Sequence, residues 1–506
     1  MKQLETRIDR FDGGMTTILR GAKSNEARLV KHFDNFTRKN ALIPYPNTES
    51  GDGGTMVQAN NKLQNFLLYG SKLYGLGVQT GGNLGVIYET STPHSAPSWA
   101  VSSNSASAGA ITVTDFTMFK EYKGVFYFRN SQGLGSYTVG GSVSDTAYTA
   151  TMTSVSQAIV HSKDSIMYFG YTTGSNAIIA SKNGAGAIAV ALTIPTVDYK
   201  ISSLCEYGNY LAIALAPLAD GLNSLVLLWD RDSSVSNISE AVDWGNNNLY
   251  AIENIDGYII GVSIQGNITL APYRYPTLVF KKYAGGGAVQ IKQIVLQSQT
   301  AFVGKQKHNN RLYFGLTATS LIDAVNSGTT NDLSGIWSIG RNGENDPFTV
   351  NFDKSAANSG VITMATGGFY IFGDYAYIAH TVGSTPTLTK THSTSTSFAT
   401  ISTWESPYIA TISSSITKKL IGVTLTFEKI PTSGSVSLYY RADGATSWTL
   451  IFTDSTAGDY FHDAINIESA GATLPQYNEV EFQIISKGVI VTGLFFEEEE
   501  ITNALY

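Results

Sequence analysis

Four consecutive carboxylates, Glu497–Glu500, are the densest run of ionisable side chains in the sequence. Such a run can hold a metal ion, repel a polyanion from a channel wall, or keep a strand end solvated and unpaired. The solvated strand end is the default. The functional alternative makes Glu497, Glu498, Glu499 and Glu500 channel-facing acids. Scattered loop acids (Asp115, Glu121, Asp164, Glu206, Asp256 and Asp374) are the remaining material for the carboxylate pair that glycoside hydrolysis needs. The seven histidines, His32, His94, His161, His308, His380, His392 and His462, stand at no metal-ligand spacing with one another or with a cysteine. Cys205 is the single cysteine, so neither an intrachain disulfide nor a thiolate metal site is available; it reads as a small buried hydrophobe.

Sequence signatures of nucleophilic, nucleotide or metal chemistry do not occur. There is no G-x-S-x-G elbow, Walker loop, H-E-x-x-H or EF-hand loop, and no S-x-D-x-G-x-x-W turn of the sialidase-like kind. Gly81-Gly82-Asn83 and Gly285-Gly286-Gly287 lack the following helix or P-loop lysine that phosphate cradling requires. Lys305–Arg311 (KQKHNNR) is a basic cluster that could touch nucleic acid but reads first as a solvated hairpin turn. Tyr273, Tyr275 and Trp99 could stack on sugars, with core or interface packing as the default. The expectation is a non-enzyme with no catalytic residue, no cofactor and no metal.

What must position these groups is a repeat. An apolar strand, a turn of Gly, Asn, Asp or Lys, and an aromatic-rich strand recur, with Tyr74, Tyr127, Tyr168, Tyr210, Tyr258, Tyr313 and Tyr377 about 40 to 65 residues apart. A degenerate period of that size predicts repeated β-units. Blades of four short strands around an axis fit it, about seven in number, with the tyrosines as blade-core packing. The strand that closes the ring is not visible in the pattern.

Three regions follow: an arm over 1–58, a β-propeller-like domain over 59–400, and an antiparallel β-sandwich or barrel over 401–506. In the arm, Glu26–Phe36 reads as a short helix or an extended clamp, because Leu29, His32, Phe33 and Phe36 share helical spacing. The arm is expected to pack on a neighbour or on the C-terminal domain. In the last region Asp443-Gly444 and Lys487-Gly488 read as hairpin turns. The fold class is all-β.

Charged residues are 14% of the chain against a usual share of about 25%. Surfaces that become buried in assemblies lose charge, so the composition points to oligomerisation, the alternative being an extracellular β-protein with a Ser/Thr-rich surface. The net charge of -7 argues against a phosphate-gripping protein but not against a conduit, whose wall releases no counterions to a passing polyanion. The start, MKQLETRIDRFDGG, has no apolar signal core, and no run of about 20 apolar residues could span a membrane as a helix.

The order of parts carries a resemblance. F-D-G-G (Phe11–Gly14) and I-P-Y-P-N (Ile43–Asn47) precede the repeats, and SLYYRADGATSWTLIF (Ser437–Phe452) and EFQIISKGVIVTGLFFE (Glu481–Glu497) follow them. This resembles the tail nozzle (tail tube) proteins of short-tailed bacteriophages and, more loosely, phage minor tail proteins. The resemblance implies a structural virion protein assembled in the host cytoplasm. It implies a homo-oligomeric ring, a hexamer, below the portal and adaptor rings, with tail fibres nearby. Viral DNA would pass through its lumen without specific binding. The alternative is a receptor- or glycan-binding tail-tip propeller, and behind it a glycan hydrolase.

Overall fold

The computed structural model describes residues 3–16, 25–51, 62–78, 85–95, 97–104, 118–141, 143–219, 221–234, 237–245, 247–265, 276–296, 301–318, 333–356, 362–382, 385–391, 401–409, 416–466 and 476–501. No helix occurs among them; the fold is all-β. Among the described residues seven antiparallel sheets follow one another, at 62–104, 119–149, 154–195, 199–245, 248–295, 301–355 and 362–391. Each is a meander of four strands, except that in the third sheet the first strand is split into Ser154–Val155 and Ile159–Val160, and in the seventh only three strands come from the run itself. The repeat tyrosines all lie on the second strand of their sheets.

The recurring turn has a stereochemical cause. Tight two-residue hairpins that match strand twist need positive φ at one or both central positions. Lys123-Gly124, Asp256-Gly257 and Asn309-Asn310 have it at both; Gly70, Gly208 and Gly373 have it at the first. These turns join first to second strands in six of the seven sheets, as the pairings Tyr69↔Lys72, Tyr122↔Val125, Tyr207↔Tyr210, Ile255↔Tyr258, His308↔Arg311 and Phe372↔Tyr375 show.

Apolar side chains close the sheets into a ring. Tyr74 and Phe126 join the first and second sheets, Tyr122 and Met167 the second and third, Tyr168 and Trp229 the third and fourth. Cys205 and Leu249 join the fourth and fifth, Ile260 and Phe314 the fifth and sixth, Tyr313 and Phe369 the sixth and seventh. Phe66, Trp99 and Tyr377 join the seventh back to the first. The missing fourth strand of the seventh sheet is Thr48–Ser50 from the arm, paired antiparallel to Thr385–Thr391 through Thr389↔Ser50, Lys390↔Glu49 and Thr391↔Thr48. The buried Lys390 ammonium pairs with Glu49 across this seam.

The C-terminal region is a two-sheet sandwich. One sheet runs Gln3–Ile8, Val491–Glu500, Lys418–Phe427, Phe461–Asn466, with Gln476–Tyr477 beside the third strand. The other runs Ser402–Glu405, Val480–Lys487, Ser435–Ala442, Thr449–Asp454, and is continuous with the sixth propeller sheet through Leu29–Lys31. The continuous sheet has nine strands.

Of the two readings of Glu26–Phe36 the extended one holds, as Glu26–Ala27, Leu29–Lys31 and Phe33–Asp34, because strands stand ready on both sides of it and pairing outweighs its helical spacing. Two expectations change. Lys487-Gly488 is no hairpin: the strands it joins lie in opposite sheets, so the chain crosses the sandwich there. Glu497–Glu500 is not an unpaired strand end, since Val491–Glu500 pairs on both edges, with Gln3–Ile8 and Lys418–Phe427.

The F-D-G-G motif presses the arm onto the sixth sheet. Phe11 is buried edge-on against Trp404 at 5.5 Å. A Cβ on Gly13 would meet Asn25 O at 2.4 Å, and one on Gly14 would meet Thr349 Cβ at 2.7 Å. Trp404→Ala, which empties the contact between arm and sandwich, is expected to cost about 3–5 kcal/mol. Urea unfolding should show one transition moved to lower denaturant for propeller and sandwich together; two transitions with one unmoved would overturn the coupling.

Candidate functional site

A cleft of about 370 Å³ lies between the sixth and seventh sheets, beneath the arm. The arm supplies Asp34, Thr37 and Ile43–Pro46, the sixth sheet His308, Asn309, Arg311, Tyr313, Ile336, Asp353 and Lys354, and the seventh the turn from Ile371 to Ala376. The I-P-Y-P-N segment is thus a wall of the cleft. Its two prolines suit an extended run that needs no ladder hydrogen bonds.

Arg311 organises the wall between arm and sheet. Its guanidinium lies 3.8 Å from the Phe36 ring centroid, a cation–π contact. It donates to Asp34 Oδ1 at 3.5 Å and to the Tyr313 hydroxyl at 3.4 Å. Asp34 Oδ1 also accepts the backbone N–H of Phe36 at 2.8 Å and of Thr37 at 3.2 Å, which holds the arm's turn over the cleft. Burial works against the Arg311 charge, but Tyr45, Tyr313, Asp34 and Asp353 together raise its pKa further.

Asp353 and Lys354 form the floor. Asp353 is 2% exposed; its Oδ1 accepts from the Tyr45 hydroxyl at 3.2 Å. Its Oδ2 is sealed from solvent. Burial pushes this carboxyl up to about 7, against the pull of Ser338, Arg311 and Tyr45. Burial likewise pulls Lys354 down to about 8, although Asp353 and Asp374 favour its charge. Lys354 Nζ donates to Thr391 Oγ1 at 2.5 Å and stands 5.5 Å from the Tyr45 ring centroid. Behind the floor, His32 Nε2 accepts the Ser355 N–H at 3.1 Å, so Nδ1 carries the proton and donates to Ile401 O at 3.0 Å.

Asp353, a carboxyl pushed up by burial, has the chemistry of a proton donor. In this conformation, though, Asp353 is locked under Tyr45 and is a positioning group. Among the described residues no cluster of His, Cys, Asp and Glu could hold a metal ion.

The residues singled out from the sequence are dispersed. Glu498 is fully buried and accepts from the Tyr477 hydroxyl at 2.8 Å, so it faces no channel; Glu497 is exposed, and Glu499 and Glu500 are half-buried. Glu121 accepts the Gly124 N–H at 2.7 Å. Asp164 pairs with Arg231, Glu206 binds Ser162, and Asp256 accepts from Arg341 Nε at 2.5 Å and from Asn310, all of them links between neighbouring sheets. Asp374 alone of these acids lies exposed at the cleft mouth; Asp115 lies outside the described residues.

Lys305–Arg311 is not a free basic turn. Lys305 Nζ, on the first strand of the sixth sheet, donates to Leu204 O at 2.6 Å, Ile252 O at 2.5 Å and Glu253 Oε2 at 3.0 Å, tying three first strands together. Trp99 is 3% exposed and donates to Gly51 O at 2.8 Å, so it offers no face to a sugar; Tyr273 and Tyr275 lie outside the described residues, as does His392. Cys205 is buried and its thiol is pushed up by burial. Asp353 was missed, and Asp34 and Arg311 were singled out only as parts of Glu26–Phe36 and Lys305–Arg311, with no joint role. The I-P-Y-P-N segment lies beside all three in the fold.

No family model and no curated protein matches the chain. Solved structures similar to it include an exo-β-1,3-galactanase from Phanerochaete chrysosporium, at 12% identity and a TM-score of 0.29, covering 90% of this chain and 100% of that one. The GH74 xyloglucanase from Xanthomonas campestris is similar at 9% identity and a TM-score of 0.39, over 75% of this chain and 59% of that one. The β-propeller domain of the Trilobed protease from Pyrococcus furiosus is similar at 10% identity and a TM-score of 0.38, over 65% of this chain and 94% of that one.

Asp353 sets a pH dependence. Its folded pKa of about 7 lies above the unfolded carboxyl, so between about pH 4 and 7 the folded state binds more protons and stability falls as pH rises. The slope approaches about 1.4 kcal/mol per pH unit. His32, held down to about 3 by burial, slopes the other way below its unfolded value, so the test is a difference: in urea unfolding across pH, stability should fall more steeply, by up to about 1.4 kcal/mol per pH unit, in the wild type than in Asp353→Asn; parallel profiles would contradict the assignment.

Proposed function

We propose that the chain is a non-enzymatic structural subunit of a bacteriophage tail, of the nozzle or tail-tube kind. It assembles as a homo-oligomeric ring, a hexamer, against the adaptor and portal rings. It conducts viral DNA without specific binding, and tail fibres attach near it. It works in the virion after assembly in the host cytoplasm. The observation that carries this reading is mechanical: one nine-stranded sheet runs from propeller into sandwich, so load applied to one is carried by backbone hydrogen bonds into the other. The low charged fraction, 14%, supports burial between subunits. Exposed apolar side chains on outer and edge strands, Val190, Val289 and Leu450, supply surface for it.

A second reading, a receptor- or glycan-binding propeller, is favoured by the polar cleft beneath the arm.

Mass photometry and negative-stain microscopy of the full chain should give ring particles of one subunit number, and the protein should be present in purified virions. A protein that stays monomeric at all concentrations and is absent from particles would overturn the first reading.

A further inference from the structure

We propose that the cleft between the sixth and seventh sheets binds a neutral saccharide through a pair of adjacent hydroxyl groups. The proposal rests on the second reading above and not on ring assembly.

Arg311 is the first support. A guanidinium has five N–H donors in a fixed fork. Those of Arg311 make two hydrogen bonds, both long, at 3.4 and 3.5 Å, while Phe36 holds the plane of the group in place. Donors therefore remain for a ligand oxygen, on a group already oriented. An acceptor is the second support: the carboxylate of Asp374 is exposed at the mouth, whereas Asp34, which orients Arg311, already accepts from the Phe36 and Thr37 N–H groups, the Thr37 hydroxyl and Arg311. Each hydroxyl of a diol accepts one hydrogen bond and donates another, which a guanidinium flanked by carboxylates satisfies at both ends.

Charge balance selects the ligand class. Asp34 and Asp374 oppose Arg311 and Lys354, and Asp353 adds a carboxyl in the floor. An anion would meet three carboxyls, and a cation would meet a guanidinium and an ammonium. A neutral, hydroxyl-rich molecule meets partners of both kinds. Tyr45 and Tyr375 add ring surface on which the C–H face of a sugar can pack. The volume, about 370 Å³, is within the range of small-molecule sites.

The full chain should be titrated with galactose, glucose, mannose, N-acetylglucosamine, lactose and cellobiose, with galacturonate as the anionic control, by calorimetry and saturation-transfer NMR. The expected result is binding of at least one neutral sugar, with the matched anion weaker by about tenfold or more. Asp374→Trp, at an exposed turn, should abolish binding by filling the mouth. Asp34→Asn keeps the acceptor for the Phe36 N–H and should weaken binding by about tenfold. If Asp34→Asn fails to fold, Asp374→Trp alone decides. No neutral sugar bound at up to about 50 mM, binding unchanged in Asp374→Trp, or preference for galacturonate would each overturn the proposal. Ring particles counted in the same samples, with and without sugar, report on assembly separately.

Discussion

A four-stranded propeller sheet ends on an open edge, and so does a sandwich sheet; Leu29–Lys31 fills both edges at once. Lys31 pairs with Phe352 of the sixth sheet on one side and Thr403 on the other, and Val30 is fully buried between them. Three residues carry little pairing energy by themselves. Their position is fixed by what surrounds them. Arg28, 5% exposed, reaches Glu481 Oε1 at 3.4 Å, while Arg441 grips the same carboxylate with two hydrogen bonds of 2.5 and 2.8 Å. Burying such a group of charges is rarely worth much in net stability, but a misplaced arm would leave two carboxyls, the half-buried Glu405 and the buried Glu481, facing Arg441 alone, one cation short, which is costly. The ion group therefore acts on register, and the apolar contacts of Phe11, Val30 and Phe33 with the core supply the stability.

The same arm makes three attachments that depend on one another. Gln3–Ile8 edges the sandwich, Leu29–Lys31 joins the two bodies, and Thr48–Ser50 completes the seventh sheet. Each closes a loop of several hundred residues, and the entropic cost of a loop rises only slowly with its length. Once the middle attachment is made, the outer two close over short tethers. The cleft is a consequence: Asp34 and Tyr45 lie on the stretch between the second and third attachments, so its walls exist only when the ring is closed.

The propeller was legible because its signal is repeated and local. Aromatic second strands and two-residue turns recur in fixed order, and both have a backbone cause in positive φ and apolar packing between sheets. The arm was not legible because its strands are two, three or six residues long and lie far in sequence from their partners; Leu29, Phe33 and Phe36 happen to fall at helical spacing, and no local preference opposes that reading. The crossing at Lys487-Gly488 was hidden for a related reason. A Gly turn between two alternating strands looks the same whether the strands pair or face each other across a core. The cleft was hidden because Asp34, Arg311 and Asp353 converge from three distant places, and each alone reads as an ordinary turn or strand residue.

Charge is where sequence and structure meet on function. The chain has few cations, and many are consumed internally: Lys305 on carbonyls of the first strands, Lys390 on Glu49, Arg231 on Asp164, Arg341 on Asp256, Lys292 on Glu26. An ammonium already holding carbonyls and a carboxylate, as Lys305 does, has no donor left to offer a phosphate. The cluster Lys305–Arg311, read from the sequence first as a solvated hairpin turn and second as a place for nucleic acid, does form a hairpin turn, but Lys305 and Arg311 within it fasten the propeller's inner strands and the cleft wall. Lys305 therefore contributes no counterion release to a polyanion. The guanidinium of Arg311 differs: stacked on Phe36 and making two long hydrogen bonds, it keeps donors aimed from a fixed position.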